Sequence, residues 1–471
     1  MLETLETINN AVNSFIWGPV MLVLLIGTGI YLSARNGWVQ VRHFGHIMKS
    51  TVGSLFQKTD KKGEKKNFSP FEAVATALAG TVGTGNIAGV TGAIFLGGPG
   101  AVFWMWVSAF FGMCTKYSEI ALAVKYRVTD EFGSYRGGPM YYIERGMGKK
   151  WKWMASLFAL LAGLATFGIG NIAQSSEISG AMYGLFGMKP EVTGILLTVI
   201  VGVVLIGGSH RIASVTSYMV PLMSLLYICL GLAVICMRIT DVPRVFASII
   251  TSAFSFRAVG GGVLGYGILV AMRQGFARGV FSNEAGLGSA PIAHASTSHE
   301  EPAEQAMWGV FEVFVDTIVI CTMTALAVLL SGIELGAPAL AAYASKGEAA
   351  VAAFNAVLPG TIGGTMIQIS LILFSFSTIL SWCYYGERCW FYLTGGKRWV
   401  VGVYKGLYIL LCFFGAVGSG ALMWGISDTL NGMMAIPNLI ALLSLSGVVV
   451  SITKNYFNGK CGKDGRPLRG H

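Results

Sequence analysis

The sequence predicts an all-α integral membrane protein with about eleven transmembrane helices. Three observations carry that reading. Of the 471 residues, 54% are hydrophobic and only 12% charged, against roughly 25% charged in an ordinary soluble protein, so a water-facing surface could not be covered. Mean hydropathy is +0.64. Apolar runs of about 20 residues, the length that crosses a bilayer, recur along the chain. The 63 glycines have no Gly-X-Y period, which excludes collagen, and the many large apolar residues exclude disorder.

The candidate spans, in order, are Ile16–Leu32, Pro70–Leu96, Ala101–Lys125, Trp153–Leu185, Val192–Ile206, Ala213–Met237, Tyr266–Ile292, Trp308–Ser331, Thr361–Tyr385, Trp399–Val417 and Ile436–Ile452. Glu3 and Glu6 precede the first, with no early Lys or Arg. That is not the basic start of a cleaved signal, so the first span is expected to be retained. The apolar connection Gly332–Pro359 is expected to pack as an external cap. The eight cysteines (Cys114, Cys229, Cys236, Cys321, Cys383, Cys389, Cys412, Cys461) lie mostly in apolar runs without a CxxC pair. They read as small membrane residues rather than disulfides or a metal site.

Net charge is +10, which in a soluble chain would suggest nucleic acid. Here the cations cluster in alternate loops instead. Arg35, Arg42, Lys49, Lys58, Lys61, Lys62, Lys65 and Lys66 follow the first span. Arg127, Arg136, Arg145, Lys149, Lys150 and Lys152 follow the third, and Lys454, Lys460, Lys463, Arg466 and Arg469 follow the last. The opposite loops hold only Lys189, Arg238, Arg244, Arg257 and Lys346. The positive-inside rule then places the N-terminus outside and the C-terminus inside, as an odd span count requires.

Two spans are poor helices. The second carries Gly80-Thr81-Val82-Gly83-Thr84-Gly85-Asn86 near its middle, and the seventh carries Phe281-Ser282-Asn283-Glu284-Ala285-Gly286-Leu287-Gly288. Each interior glycine costs up to about 1 kcal/mol relative to alanine. Small-residue helix packing is the competing explanation for one such run, but the two recur at a fixed offset. With the first span set aside, each opens a block of five, so residues 70–237 and 266–452 read as inverted-topology repeats, followed by a cytoplasmic tail, 453–471. A break at bilayer depth frees backbone groups that lipid cannot satisfy, so it must line a cavity. Half-helix N-termini there suit an anion and freed carbonyls suit a cation. The pairing points to an amino acid moving with Na⁺.

The run Gly97–Gly112 (GGPGAVFWMWVSAFFG) resembles the signature of the alanine or glycine:cation symporter family, as does Phe281–Pro291 (FSNEAGLGSAP). The resemblance implies a leucine-transporter-like fold, uptake of alanine or glycine, Na⁺ as coupling ion, no cofactor, and a prokaryotic cytoplasmic membrane. It implies carbonyls of Ala79 and Val82 on the ion, and N–H groups of Thr84 and Gly85 on the substrate carboxylate. Phe281, Ser282 and Asn283 fall in the matching unwound stretch of the seventh span. In the ninth span Phe374, Ser377, Thr378 and Ser381 share one face at i, i+3, i+4 and i+7. The Phe374 carbonyl with the Ser377 and Thr378 hydroxyls would complete an oxygen-only Na⁺ shell, unless the hydroxyls merely bond their own helix.

Glu284 is the sharpest single candidate, because a mid-span ionisable group costs about 2.5–3.5 kcal/mol on insertion scales and usually faces a cavity. It could meet the substrate ammonium, help hold a cation, titrate, or pair with Arg278. Phe167, Asn171 and Gln174 share a face of the fourth span and could form another pocket wall or interhelical glue. Trp382, with Phe281, could close around a methyl-sized side chain. Other features read as bystanders. Gly83-Thr-Gly85-Asn-Ile-Ala-Gly89 follows no strand, so it is not a dinucleotide fingerprint. His294 and His299, with Glu300, Glu301 and Glu304, read as a solvated loop, and Lys116 and Glu119 as a local pair at helical spacing. No enzyme motif such as HExxH or a nucleophile elbow occurs; a channel and a proton-coupled transporter are the rival readings. No nucleic acid and no obligate protein partner are expected.

Overall fold

The computed structural model describes residues 2–55, 67–131, 133–255, 266–418 and 421–459. Lys58, Lys61, Lys62, Lys65, Lys66, Arg257, Lys460, Cys461, Lys463, Arg466 and Arg469 lie outside the described residues. Among the described residues, seven helices are individually long and apolar enough to cross a bilayer, and a bent pair makes an eighth. Among the described residues the only strands are the two-residue arms of a hairpin, Val128–Thr129 with Tyr135–Arg136.

Both suspect spans are interrupted. The second runs Pro70–Thr81, then breaks and resumes as Gly85–Gly97, bent by 45°. Its start is set by Pro70 at the first helical position and a Ser69–Glu72 capping box, which satisfies two leading N–H groups reciprocally. The seventh is helical over Tyr266–Asn283 and again over Ala290–His294. Between them Glu284, Gly286 and Gly288 take φ values of 56°, 91° and 85°, a left-handed path that no continuous helix allows.

Two further spans contain wide (π) turns that the sequence reading did not anticipate. The fourth has Gly168–Ile172 between Lys152–Phe167 and Ala173–Phe186. The eighth has Phe314–Cys321 between Pro302–Val313 and Thr322–Leu330. Such turns leave carbonyls out of the regular ladder and mark functional sites disproportionately.

The boundary at the last span needs correction. The helix there is Ala421–Ser444, followed after Leu445 by Ser446–Phe457, whereas Ile436–Ile452 straddles that joint. Ser427, Asp428 and Asn431 lower the hydropathy of its first half, yet these groups point into protein. Asn431 is fully buried, and Asp428 receives Asn13 Nδ2 at 3.2 Å while its carbonyl receives Trp17 Nε1 at 3.0 Å. The first span likewise begins earlier than Ile16, with helix from Leu2 and a joint at Trp17-Gly18. The Gly332–Pro359 connection packs inward through a helix, Lys346–Val357, which buries Ala349, Ala350, Ala353 and Phe354.

The third span, Gly100–Lys125, supports the seventh. Gly275 and Gly279, one turn apart, allow this. A Cβ on Gly275 would lie 2.4 Å from the Ala101 carbonyl oxygen, and one on Gly279 3.0 Å from Ser108 Cβ. Close backbone approach through small residues is how membrane helices gain packing without a hydrophobic driving force.

Candidate functional site

The two breaks face each other across a small cavity of about 20 Å³, on the order of the space one water needs. Its walls are Gly80, Thr81, Gly83, Thr84 and Gly85 of the second span, Ile169 and Gln174 of the fourth, Phe281 and Glu284 of the seventh, and Thr378 and Trp382 of the ninth. The resumed half of the second span starts at Gly85, so its leading N–H groups have no partner within that helix and carry its partial positive charge. Gly83 N–H donates instead to Asn86 Oδ1 at 2.9 Å, which pins the corner. Two buried polar atoms on this wall, Thr84 Oγ1 and Gln174 Oε1, have no hydrogen-bond partner among the described residues. A polar ligand is the natural partner for such atoms.

Apolar groups close the rest. Phe281 lies against Gly85, where a Cβ would come 3.2 Å from its ring. Trp382 lies against Gly170 in the wide turn of the fourth span, where a Cβ would come within 2.3 Å.

Behind the corner lies a cluster of oxygens. Thr378 Oγ1 donates to the Ala79 carbonyl at 3.0 Å and lies 2.9 Å from the Phe374 carbonyl. Ser377 Oγ is 2.9 Å from the Phe374 carbonyl and 3.4 Å from that of Ala79. All four residues are buried. Val82 takes the extended conformation that frees this corner. An all-oxygen set of carbonyls and hydroxyls suits a small hard cation. Ser381, one turn on, donates to the Thr76 carbonyl.

Not every candidate reaches the cavity. Thr84, Gly85, Gln174, Phe281, Glu284 and Trp382 line it. Phe167 instead packs at a tilt against Tyr404 and Tyr408, with ring centroids 5.2 and 6.3 Å away. Asn171 donates to the Tyr408 carbonyl at 2.6 Å and accepts from Ser175. Ser282 donates to Asp316 at 2.8 Å and Asn283 to Thr317 at 3.1 Å, both in the eighth span. Glu284 accepts from Ser289 within its own loop, while Arg278 lies over the Phe281 ring at 5.3 Å.

Two bystander readings are overturned. His294 is fully buried and sits 2.6 Å from Glu312, because residues 290–294 fold back into the bundle instead of ending in solvent. Lys116 and Glu119 do not pair. Lys116 meets Glu312, and Glu119 accepts from Gly286 N–H and Asn438.

The sequence reading also missed a hub at Asp316. Its carboxylate takes Asn86 at 2.6 Å, Ser282 at 2.8 Å and Thr317 at 2.8 Å, which ties both breaks to the eighth span. The signal was available, since Asp316 is as much a mid-span acid as Glu284.

A model of the sodium:alanine symporter family matches residues 2–467. The chain belongs to that family. It is a multi-pass membrane protein and a cation-coupled amino-acid symporter with a leucine-transporter-like fold. A sodium/alanine symporter of Methanococcus maripaludis is 45% identical, over 95% of this chain and 96% of that protein. A probable sodium/glutamine symporter of Bacillus subtilis is 38% identical, over 98% and 93%. The solved structure of MhsT in complex with L-phenylalanine superposes with a TM-score of 0.56 at 14% identity, covering 83% of this chain and 99% of that one. The likeness to MhsT is one of fold.

Proposed function

We propose that this symporter carries alanine or glycine inward with Na⁺ by alternating access. The observation that carries the proposal is the pair of unpartnered buried atoms, Thr84 Oγ1 and Gln174 Oε1, on a cavity closed by Trp382 and Phe281. The leading N–H groups at Thr84 and Gly85 take the carboxylate. The ammonium lies toward Gln174 Oε1 and Glu284. Ile169, Phe281 and Trp382 form the apolar wall against which the small side chain packs, once the walls part by more than the present one-water space to admit the substrate. Na⁺ sits among the carbonyls of Ala79, Val82 and Phe374 and the hydroxyls of Ser377 and Thr378. The cation and substrate share the Gly83–Gly85 corner, so filling one orders the other, which is the physical content of coupling.

One positive charge falling through about 100 mV is worth about 2.3 kcal/mol, or about fifty-fold accumulation, before any ion gradient is added. In this reading residues 70–237 and 266–452 are the two inverted repeats that rock about the site. The N-terminus lies outside and the C-terminus inside a prokaryotic plasma membrane.

Labelled alanine uptake into proteoliposomes tests the proposal. An inward Na⁺ gradient drives uptake that glycine and serine compete for and leucine does not. Because Glu284 lines the cavity, a proton-driven cycle is the second reading. Uptake that persists without Na⁺ and collapses with the pH gradient selects it.

A further inference from the structure

A fully buried lysine stands at the seventh-span break. Lys116 lies within Gly100–Lys125, and its side chain is wholly shielded from solvent. Its Nζ donates to the Asn283 carbonyl at 2.9 Å and lies 2.9 Å from Glu312 Oε2. Glu312 Oε1 in turn lies 2.6 Å from His294 Nε2. Gln305 Nε2 is 2.8 Å from His294 Nδ1, and Gln305 Oε1 accepts from Thr297. The Lys116 ammonium thus has Glu312 as its ion-pair partner, with the Glu284 and Asp316 carboxylates also within electrostatic reach.

The space for this pair is built into the fold. A Cβ on Gly309, three residues before Glu312, would lie 3.2 Å from Lys116 Cγ and 2.6 Å from Ile120 Cδ1. The third and eighth spans approach closely enough for the ion pair because Gly309 has no side chain. Asn283 is the last helical residue before the chain turns left-handed at Glu284. Its carbonyl is one of those a helix C-terminus leaves unsatisfied, with partial negative charge. A freed carbonyl and a carboxylate facing a common point are two of the six or more oxygens with which proteins hold a metal cation, at shorter distances than these. Here that point is taken by Nζ.

We propose that Lys116 is a resident cation: its ammonium fills, permanently and covalently attached, a cation position at the seventh-span break. It is a positioning residue. By fixing the Asn283 carbonyl it holds Ser282 toward Asp316 on one side and Glu284 at the cavity wall on the other. The inference goes beyond the proposed function and uses alanine transport only as its readout.

The test is chemical rescue. Lys116→Met and Lys116→Ala remove the ammonium and are expected to raise half-saturating alanine about tenfold or more, the effect of losing a buried hydrogen bond to a charged group. Methylammonium added to Lys116→Ala proteoliposomes brings that value back toward wild type and leaves wild type unchanged. Unaltered alanine half-saturation in Lys116→Met overturns the proposal, as does a monodisperse Lys116→Ala protein indifferent to methylammonium. Should the single variants fail to fold, Lys116→Met/Glu312→Gln removes both charges together. A raised half-saturation in that pair supports the proposal and a wild-type value overturns it. If wild type itself shows no Na⁺-driven alanine uptake, the substrate reading fails instead. Lys116 is then read from thermal unfolding, where methylammonium raises the melting temperature of Lys116→Ala alone; no such rise overturns the assignment.

Discussion

Thr378→Val isolates the oxygen cluster from everything else in the site. Valine keeps the shape of the side chain, so the 2%-exposed position stays filled. What disappears is the hydroxyl that reaches the Ala79 carbonyl at 3.0 Å and the Phe374 carbonyl at 2.9 Å. The Phe374 carbonyl keeps Ser377 at 2.9 Å, whereas the Ala79 carbonyl keeps it only at 3.4 Å. Without the ion the loss is one neutral hydrogen bond; on the proposed function it is also one oxygen ligand of the ion. A differential cost of about 1.5 kcal/mol is in the range for a buried polar partner, and it corresponds to an increase of about tenfold in half-saturating Na⁺. Ser377→Ala, with its longer reach to Ala79, is expected to shift the same midpoint only about threefold. The assay is Na⁺ titration of alanine uptake at fixed membrane potential and equal protein. An unmoved midpoint in Thr378→Val, or a larger shift in Ser377→Ala, refutes the reasoning.

Three further outcomes are expected. Gln174→Leu deletes the unpartnered Oε1 and is expected to raise half-saturating alanine about tenfold, with the Na⁺ midpoint at saturating alanine unchanged, both read from uptake. Asp316→Asn keeps an acceptor oxygen for Asn86 and presents an NH₂ that the Ser282 and Thr317 hydroxyls can turn to accept, but loses the charge. It is expected to fold and to lower uptake about tenfold or more, whereas Asp316→Ala, which strands three donors, also lowers the melting temperature. Lys346, on the Gly332–Pro359 connection, is held down from 10.5 to about 8, chiefly by the nearby Arg278 guanidinium and then by burial. The unfolded chain therefore binds the extra proton between those values, so stability rises as pH climbs from about 8 toward 10.5. Lys346→Met is expected to abolish that rise in a pH series of thermal melts.

The breaks were legible because glycine runs at bilayer depth have few other uses, and because the two runs recur at one offset. The ninth-span oxygens were legible for a related reason: hydroxyls at i, i+3 and i+4 opposite a freed corner form a face rather than a scatter. Asn171 and Phe167 shared a face with Gln174, but the wide turn at Gly168–Ile172 rotates the helix. Only Gln174 and Ile169 reach the cavity, and nothing in the local sequence signals such a turn. Ser282 and Asn283 lay in the matching stretch, yet they are the last residues of the helix before the break and face the eighth span. Lys116, Glu312 and His294 were hidden by sequence distance, since their contacts form only once the third, seventh and eighth spans are packed together.

The most direct test is an experimental structure of the purified protein with alanine and Na⁺ bound. The account predicts the alanine carboxylate at the Thr84 and Gly85 N–H groups, its methyl against Trp382 and Phe281, and Na⁺ among the Ala79, Val82, Phe374, Ser377 and Thr378 oxygens. Alanine bound away from the corner where the second span bends, or that corner refolded into continuous helix around it, would contradict the account.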